Sequence, residues 1–310
     1  MPSIPDSLKD LPYEPPHNFL GLDEAGSDFE SAGAVIMPVP YEATVSYGSG
    51  TARGPGAIID ASRYIELYDQ ELDSEPADVG VATLPALSLT RGDPEQAITQ
   101  LGEAYERVLD AAGERFVIVL GGEHSISSAP ILTWADRLEQ DGRRLTVLQV
   151  DAHTDLRDEY EGTEYSHASV MARVLGRVDI VSVGIRALTS EERELVRSRD
   201  DVTMFLADEI HGRLDWIDEV VAALGDDVYI TFDVDGLDPS LVPTTGTPEP
   251  GGLLWYDAIG LLRQVFQSRN VVGADVVELA PSPGQSAPEF LIAKLVYKMI
   301  GYRFSSGSVR

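Results

Sequence analysis

Three short segments of this chain combine carboxylates and imidazoles at spacings that suit metal coordination. They are Gly121-Gly122-Glu123-His124-Ser125, Asp151-Ala152-His153-Thr154-Asp155 and Asp233-Val234-Asp235. In extended chain, residues two apart face the same side. Asp151, His153 and Asp155 can then share one pocket, as can Asp233 and Asp235, while Ala152, Thr154 and Val234 point away. Two His and four Asp make a nitrogen-and-oxygen ligand set. The chain has no cysteine, so sulfur ligands, disulfides and thiol nucleophiles are excluded. The predominance of carboxylate argues for a hard or borderline ion, and the imidazoles favour Mn²⁺ over Ca²⁺ or Mg²⁺. Four crowded carboxylates repel one another, and two divalent ions would neutralise them where one would not. Carboxylates shared between two ions would hold them ~3.5–4 Å apart, and a water bridging them would lose a proton near neutral pH and become a nucleophile.

Alone, each segment has a plainer reading: a turn with capping acids, a solvated loop, or a strand-to-helix turn carrying a core histidine. Their shared position decides the matter. Each follows a short apolar run, as does Glu278: Phe116–Leu120, Leu145–Val150, Val228–Phe232 and Val271–Val277. Ala34–Pro38 and Ile180–Val183 are similar runs. Such near-continuously apolar, β-branched stretches read as strands buried on both faces. Helical patterns separate them, near Ala57–Tyr64 and from Asp93-Pro94 to about Ala112, with Asp93 as N-cap and Pro94 at the first position. The expected architecture is a three-layer α/β/α unit with a mainly parallel sheet. Ligands in such folds bind at the carboxyl ends of the strands, where four independent runs deliver these acids and imidazoles. One domain spanning 1–310 is expected, with an irregular N-terminal arm over about 1–30 that includes the Pro-rich stretch Ile4–Pro16 and the acidic stretch Asp23–Glu30.

The formal net charge is -29. It makes nucleic acid and anionic membrane poor partners. A solvated acidic surface, as in a salt-rich cytoplasm, is the simpler account of it, and attraction of a cationic substrate the sharper one. No apolar run approaches the ~20 residues of a membrane span. With no secretory h-region and no cysteine, a cytoplasmic protein is expected.

Taken together, the motifs resemble those of the ureohydrolase (arginase/agmatinase) family. The similarity runs from about Val35 to Gly301 and includes Tyr41–Gly56, Ser182–Arg186, Thr245–Pro248, Val276–Pro281 and the extended motif Asp233-Val234-Asp235-Gly236-Leu237-Asp238-Pro239. The resemblance implies two Mn²⁺ ions per subunit. His124, Asp151, Asp155 and Asp233 would bind one, and Asp151, His153, Asp233 and Asp235 the other. It further implies that His167 carries a proton, that Glu278 holds a guanidinium group, and that the chain forms a homotrimer or homohexamer. The glycine-rich Gly48–Gly56 lacks the ending of a phosphate-binding loop and reads as a structural loop at the site's rim.

The guanidinium carbon is a poor electrophile, so a strong hydroxide nucleophile and a protonated leaving amine are both needed. The segment Leu156–Ser166 carries acids suited to a distal ammonium, which favours the small cationic guanidino compound agmatine, cut to putrescine and urea. Arg157 could instead pair with a substrate carboxylate, which leaves guanidinobutyrate, formimidoglutamate and arginine as alternatives. Pro281-Ser282-Pro283-Gly284 departs from the agmatinase pattern. Rival readings are a one-ion zinc deacetylase of the same fold, a non-catalytic metal-binding paralogue, and an acidic interaction protein.

Overall fold

The computed structural model describes residues 16–305. The Pro-rich arm expected over Ile4–Pro16 therefore lies, save Pro16, outside the described residues. The acidic stretch 23–30 is irregular, as expected, and built of turns.

Eight strands form one parallel sheet: β1 (Ala34–Val39), β2 (Val81–Thr83), β3 (Phe116–Gly121), β4 (Leu145–Val150), β5 (Asp179–Ile185), β6 (Val202–Leu206), β7 (Asp227–Asp233) and β8 (Asn270–Val277). Their order is β2-β1-β3-β8-β7-β4-β5-β6. Two of these strands, both at the edges, lie outside the apolar runs singled out in the sequence. Edge strand β2 has three residues, and opposite edge strand β6 is largely half-exposed. The inner strands are buried along nearly their whole length, which is why they read as continuous apolar runs. Pro38 interrupts nothing, because β2 pairs with β1 only at Ala34–Ile36, before the missing amide would matter.

Side chains alternate between two faces. On one face Ile36, Ile118, Leu148, Ile230 and Val276 pack with α1 (Gly54–Ser62), α7 (Trp216–Ala223), α8 (Trp255–Ser268) and α9 (Ala287–Phe304). On the other, Val35, Val117 and Val119 meet α2 (Pro94–Ala112), while Val147 and Ile180 meet α3 (Ser128–Gln140) and α4 (Val170–Val174). Helix α2 shows the logic in one element. Asp93 accepts the Gln96 amide as N-cap, and Ala97, Leu101, Tyr105 and Leu109, four apart, form the buried stripe. Two short helices complete the β5–β6 edge, α5 (Ser190–Arg197) and α6 (Ala207–Ile210). No helix among the described residues is long and apolar enough to cross a membrane.

The order brings β3, β8, β7 and β4 together as four consecutive central strands, so the segments that follow them share one edge of the sheet. Close approach there depends on glycine. A Cβ on Gly122 would stand 1.9 Å from the Tyr41 carbonyl oxygen and 2.9 Å from the Tyr41 nitrogen. Main-chain atoms cannot yield as a flexible side chain can. Gly122→Ala should therefore cost about 3 kcal/mol, as overpacking of a rigid site does. Denaturant unfolding measures this, and an unchanged midpoint would disprove the close contact.

Candidate metal centre and substrate cavity

The six candidate ligands meet at this edge. His124 opens a 3₁₀ turn after β3 and is buried; its Nδ1 lies 2.9 Å from Asp155, 3.2 Å from Asp151 and 3.3 Å from Asp233 carboxylate oxygens. His153 Nδ1 lies 3.1 Å from Asp235 and 3.6 Å from Asp151. Asp151 is common to two groups whose ligand atoms lie within 4.8 Å of one another, His124-Asp151-Asp155 and Asp151-His153-Asp235.

Convergence is achieved differently from simple strand alternation. Asp235 sits in a 3₁₀ turn, Val234–Gly236, and Asp155 adopts a left-handed backbone with φ 52°. Thr154, expected to point away, lines the cavity. Glu278, at the end of β8, is left-handed too, with φ 67°. Left-handed backbone at non-glycine residues costs free energy and concentrates at functional sites.

Three of the acids have one oxygen anchored by a main-chain donor and the other turned inward. Asp233 Oδ1 accepts the Asp235 N–H at 2.8 Å, leaving Oδ2 toward His124. Asp235 Oδ1 accepts from the Ala152 N–H at 3.0 Å, leaving Oδ2 toward His153. Asp151 Oδ1 accepts from the His153 N–H, and its Oδ2 accepts from Gln149 Nε2 at 2.8 Å while facing His124.

Beneath the ligands runs a buried polar row unexpected from the sequence. Ser182, Gln149, Thr231 and Asp275 are register partners across β5, β4, β7 and β8. Ser182 donates to Gln149 at 2.7 Å, and Thr231 donates to Asp275 at 2.7 Å. Tyr229 donates to the other Asp275 oxygen at 2.9 Å. The signal was available: each is a polar residue inside an apolar strand, and Gln149 and Thr231 stand two residues before Asp151 and Asp233.

This row settles the chemistry of His124. Thr231 has a single hydroxyl hydrogen and gives it to Asp275, so at 2.9 Å it accepts from His124 Nε2. The remaining nitrogen, Nδ1, is buried without a hydrogen bond and faces three carboxylate oxygens. A lone pair aimed at three acids is satisfied only by a cation, either a proton or a metal ion, and the donor set fits a divalent ion.

Titration follows from the same crowding. Burial alone would raise Asp151, but the His124 and His153 imidazoles beside it hold its pKa below the ordinary carboxylate range. Burial, then repulsion from Asp235 and Asp151, pushes Asp233 well up; burial and Asp151 raise Asp155. Burial opposes charge on both imidazoles, yet the surrounding acids raise His124 well above normal and push His153 up to about 12.

A cavity of about 270 Å³ opens over the cluster, lined by His124, His153, Asp155, Asp233, Asp235, His167 and Glu278. Glu278 is buried, and its Oε1 accepts the His124 main-chain N–H at 2.6 Å. Burial, then Glu123, raises its pKa well above the carboxylate range. The glycine-rich loop is held by local contacts, and none of its residues is among those lining the cavity. Glu42 gathers the Gly50 and Ala52 amides, and Gly54 packs so tightly on Leu279 that a Cβ would meet its carbonyl at 2.6 Å.

The acids of the 156–166 segment do not fill the expected role. Asp158 and Glu164 are bound to Arg173, each at 2.8 Å, and the residues of that segment that line the cavity are Arg157 and Tyr160. Two further acidic residues line the cavity, Glu192 and Glu249; the sequence reading passed over both, although Glu249 directly follows the segment Thr245–Pro248.

The sequence profile of the arginase family matches residues 32–301. An N(1)-aminopropylagmatine ureohydrolase of Synechocystis sp. is 38% identical over 93% of this chain and 94% of its own. An agmatinase of Bacillus cereus is 35% identical over 82% and 85%. The crystal structure of agmatine ureohydrolase of Thermoplasma volcanium superposes with a TM-score of 0.81 at 30% identity, covering 93% of this chain and 94% of that one.

Two outcomes follow. The raised imidazole pKa values mean that without metal His124 and His153 hold protons near neutral pH, so an entering ion must displace them and affinity must rise with pH. Calorimetric Mn²⁺ titrations in buffers of different ionisation enthalpy should show proton release; a buffer-independent heat would contradict it. Thr231→Val removes the acceptor that orients His124 and should weaken metal binding ~10–100-fold. Unaltered affinity would show that the row plays no part in coordination.

Proposed function

We propose that this chain, which belongs to the arginase family, hydrolyses the guanidino group of agmatine to urea and putrescine at a centre of two Mn²⁺ ions. The observation that carries the reading is the buried His124 Nδ1 facing three carboxylates beside a second His–Asp group that shares Asp151. His124, Asp151, Asp155 and Asp233 would hold one ion and Asp151, His153, Asp233 and Asp235 the other, supplying Lewis acidity and a hydroxide nucleophile. Glu278 positions the substrate. Its Oε1 is committed to the His124 amide, which leaves Oε2 for a guanidinium N–H. Burial raises its pKa, and an incoming guanidinium favours the ionised form, which gives a charge-assisted contact. His167, half-buried on the cavity wall, hands a proton to the departing amine, without which carbon–nitrogen cleavage stalls.

A substrate tail of positive charge suits the outer wall. Thr189 N–H occupies one Glu192 oxygen at 2.7 Å and leaves the other open, and Glu249 adds a second acid. The Arg157 guanidinium lies 4.8 Å from the Tyr160 ring centroid, a cation–π contact on the cavity wall. These two acids also favour a second reading, N(1)-aminopropylagmatine, whose extra aminopropyl arm carries one more cationic nitrogen. The 38% identical relative bears that name. The same reading takes the chain as one domain over 1–310, cytoplasmic and assembled as a homotrimer or homohexamer. Its cysteine-free composition and its family support this.

Urea release with Mn²⁺ should be seen with agmatine and N(1)-aminopropylagmatine, and little with arginine, guanidinobutyrate or formimidoglutamate. Glu249→Gln should lower kcat/KM about tenfold more for the aminopropylated substrate than for agmatine, the magnitude of one lost contact to a charged group. Preference for arginine would overturn the cationic-tail reading, and equal losses would leave agmatine as the substrate.

A further inference from the structure

The geometry points to Thr44 as a positioning residue that fixes the tautomer of His167, backed by the buried carboxylate of Glu123, so that the ring exchanges its proton at Nε2. The inference rests on the reading of His167 as the proton carrier. It explains two features left without a role, the Glu123 of the Gly-Gly-Glu-His motif and the Tyr41–Ser46 turn.

Glu123 is fully buried, yet no metal-binding role falls to it. Its Oε2 accepts the main-chain N–H groups of Ala43 and Thr44, each at 2.7 Å. Its Oε1 accepts the hydroxyls of Ser125 at 2.6 Å and Thr44 at 2.8 Å. With four donors aimed at it, this carboxyl acts as an acceptor only.

The next step is a count of hydrogens. A threonine hydroxyl has one, and Thr44 gives it to Glu123. Its oxygen is then left only to accept, and His167 turns two nitrogens toward it. The main-chain N–H lies at 3.1 Å and the ring Nδ1 at 3.5 Å. An oxygen that cannot donate selects the Nδ1–H form of a neutral imidazole. Nε2 is then the nitrogen with the lone pair, 3.4 Å from the Ser46 hydroxyl, which can rotate to donate to it or accept from it. Tyr160 stands edge-on to the ring, centroids 5.6 Å apart at 87°, and limits its rotation. The chain Glu123–Thr44–His167 thus orients an acid–base group from behind, through contacts 79 and 123 residues apart in sequence.

The test uses full-length protein loaded with diamagnetic Zn²⁺ and carrying ¹⁵N-histidine, with His167 assigned among the five histidines by H167Q. Ring ¹⁵N shifts report the tautomer, and urea release by the Mn²⁺ form reports catalysis. Wild type and T44S should show Nδ1–H. T44V should lose that preference, and its kcat should fall about tenfold, a fraction of what a whole acid–base group supplies. KM and metal content should hold, and T44S should restore kcat. An Nε2–H ring in wild type overturns the inference, as does a T44V protein whose tautomer or kcat is unchanged. Should H167Q release urea at the wild-type rate, the proton-carrier reading falls, and with it the positioning role of Thr44, whatever the tautomer.

Discussion

Like charges held together in a buried place are the constraint from which the rest of this structure follows. Asp151, Asp155, Asp233 and Asp235 are all buried, close to one another, and unable to spread apart. Two unit charges 4 Å apart repel by about 4 kcal/mol at the effective dielectric of a protein interior, so four of them oppose folding unless cations intervene. The two imidazoles can carry protons and partly compensate, which is why their pKa values rise. Protons are nevertheless a poor match for the geometry. Three carboxylate oxygens from two separate segments surround a single nitrogen, an arrangement that resembles half of a coordination sphere more than an ion pair.

Holding such a cluster requires rigidity, and the sheet provides it. The order β3-β8-β7-β4 sets four strand ends side by side, each anchored in two hydrophobic layers. Local backbone then bends away from strand geometry where side chains of the cluster and cavity turn inward, as at Asp155 and Glu278. The row Ser182–Gln149–Thr231–Asp275 lies one layer below and fixes which atoms point up. Buried hydrogen-bonded rows of this kind specify a single arrangement, since any slip leaves polar groups unpaired. The cavity above the cluster is lined by the candidate ligands, Glu278 and His167 and by two further acids, Glu192 and Glu249.

Much of this was legible in the residues. Inner strands are apolar on both faces and announce themselves, and the acids after them mark the sheet edge by type alone. The arginase-family resemblance seen in the motifs agrees with the profile match over 32–301. Edge strand β2 is only three residues long, whereas β6, Val-Thr-Met-Phe-Leu, does carry an apolar run that the sequence reading passed over. The left-handed turns at Asp155 and Glu278 leave no trace in composition, so the residues named from alternation come together by a different backbone geometry from the one expected. Acids at Asp158 and Glu164 looked like substrate ligands until Arg173, from the following helix, was found between them. Contacts such as Thr44 with Glu123 join residues 79 apart, and only the fold reveals them.

Anomalous scattering at the manganese edge, from crystals grown with Mn²⁺, tests the central claim most directly. The account predicts two peaks per chain, ~3.5–4 Å apart, with Asp151 touching both and His124 and His153 on one each. A lone peak, or ions bound away from His124 Nδ1, would contradict it.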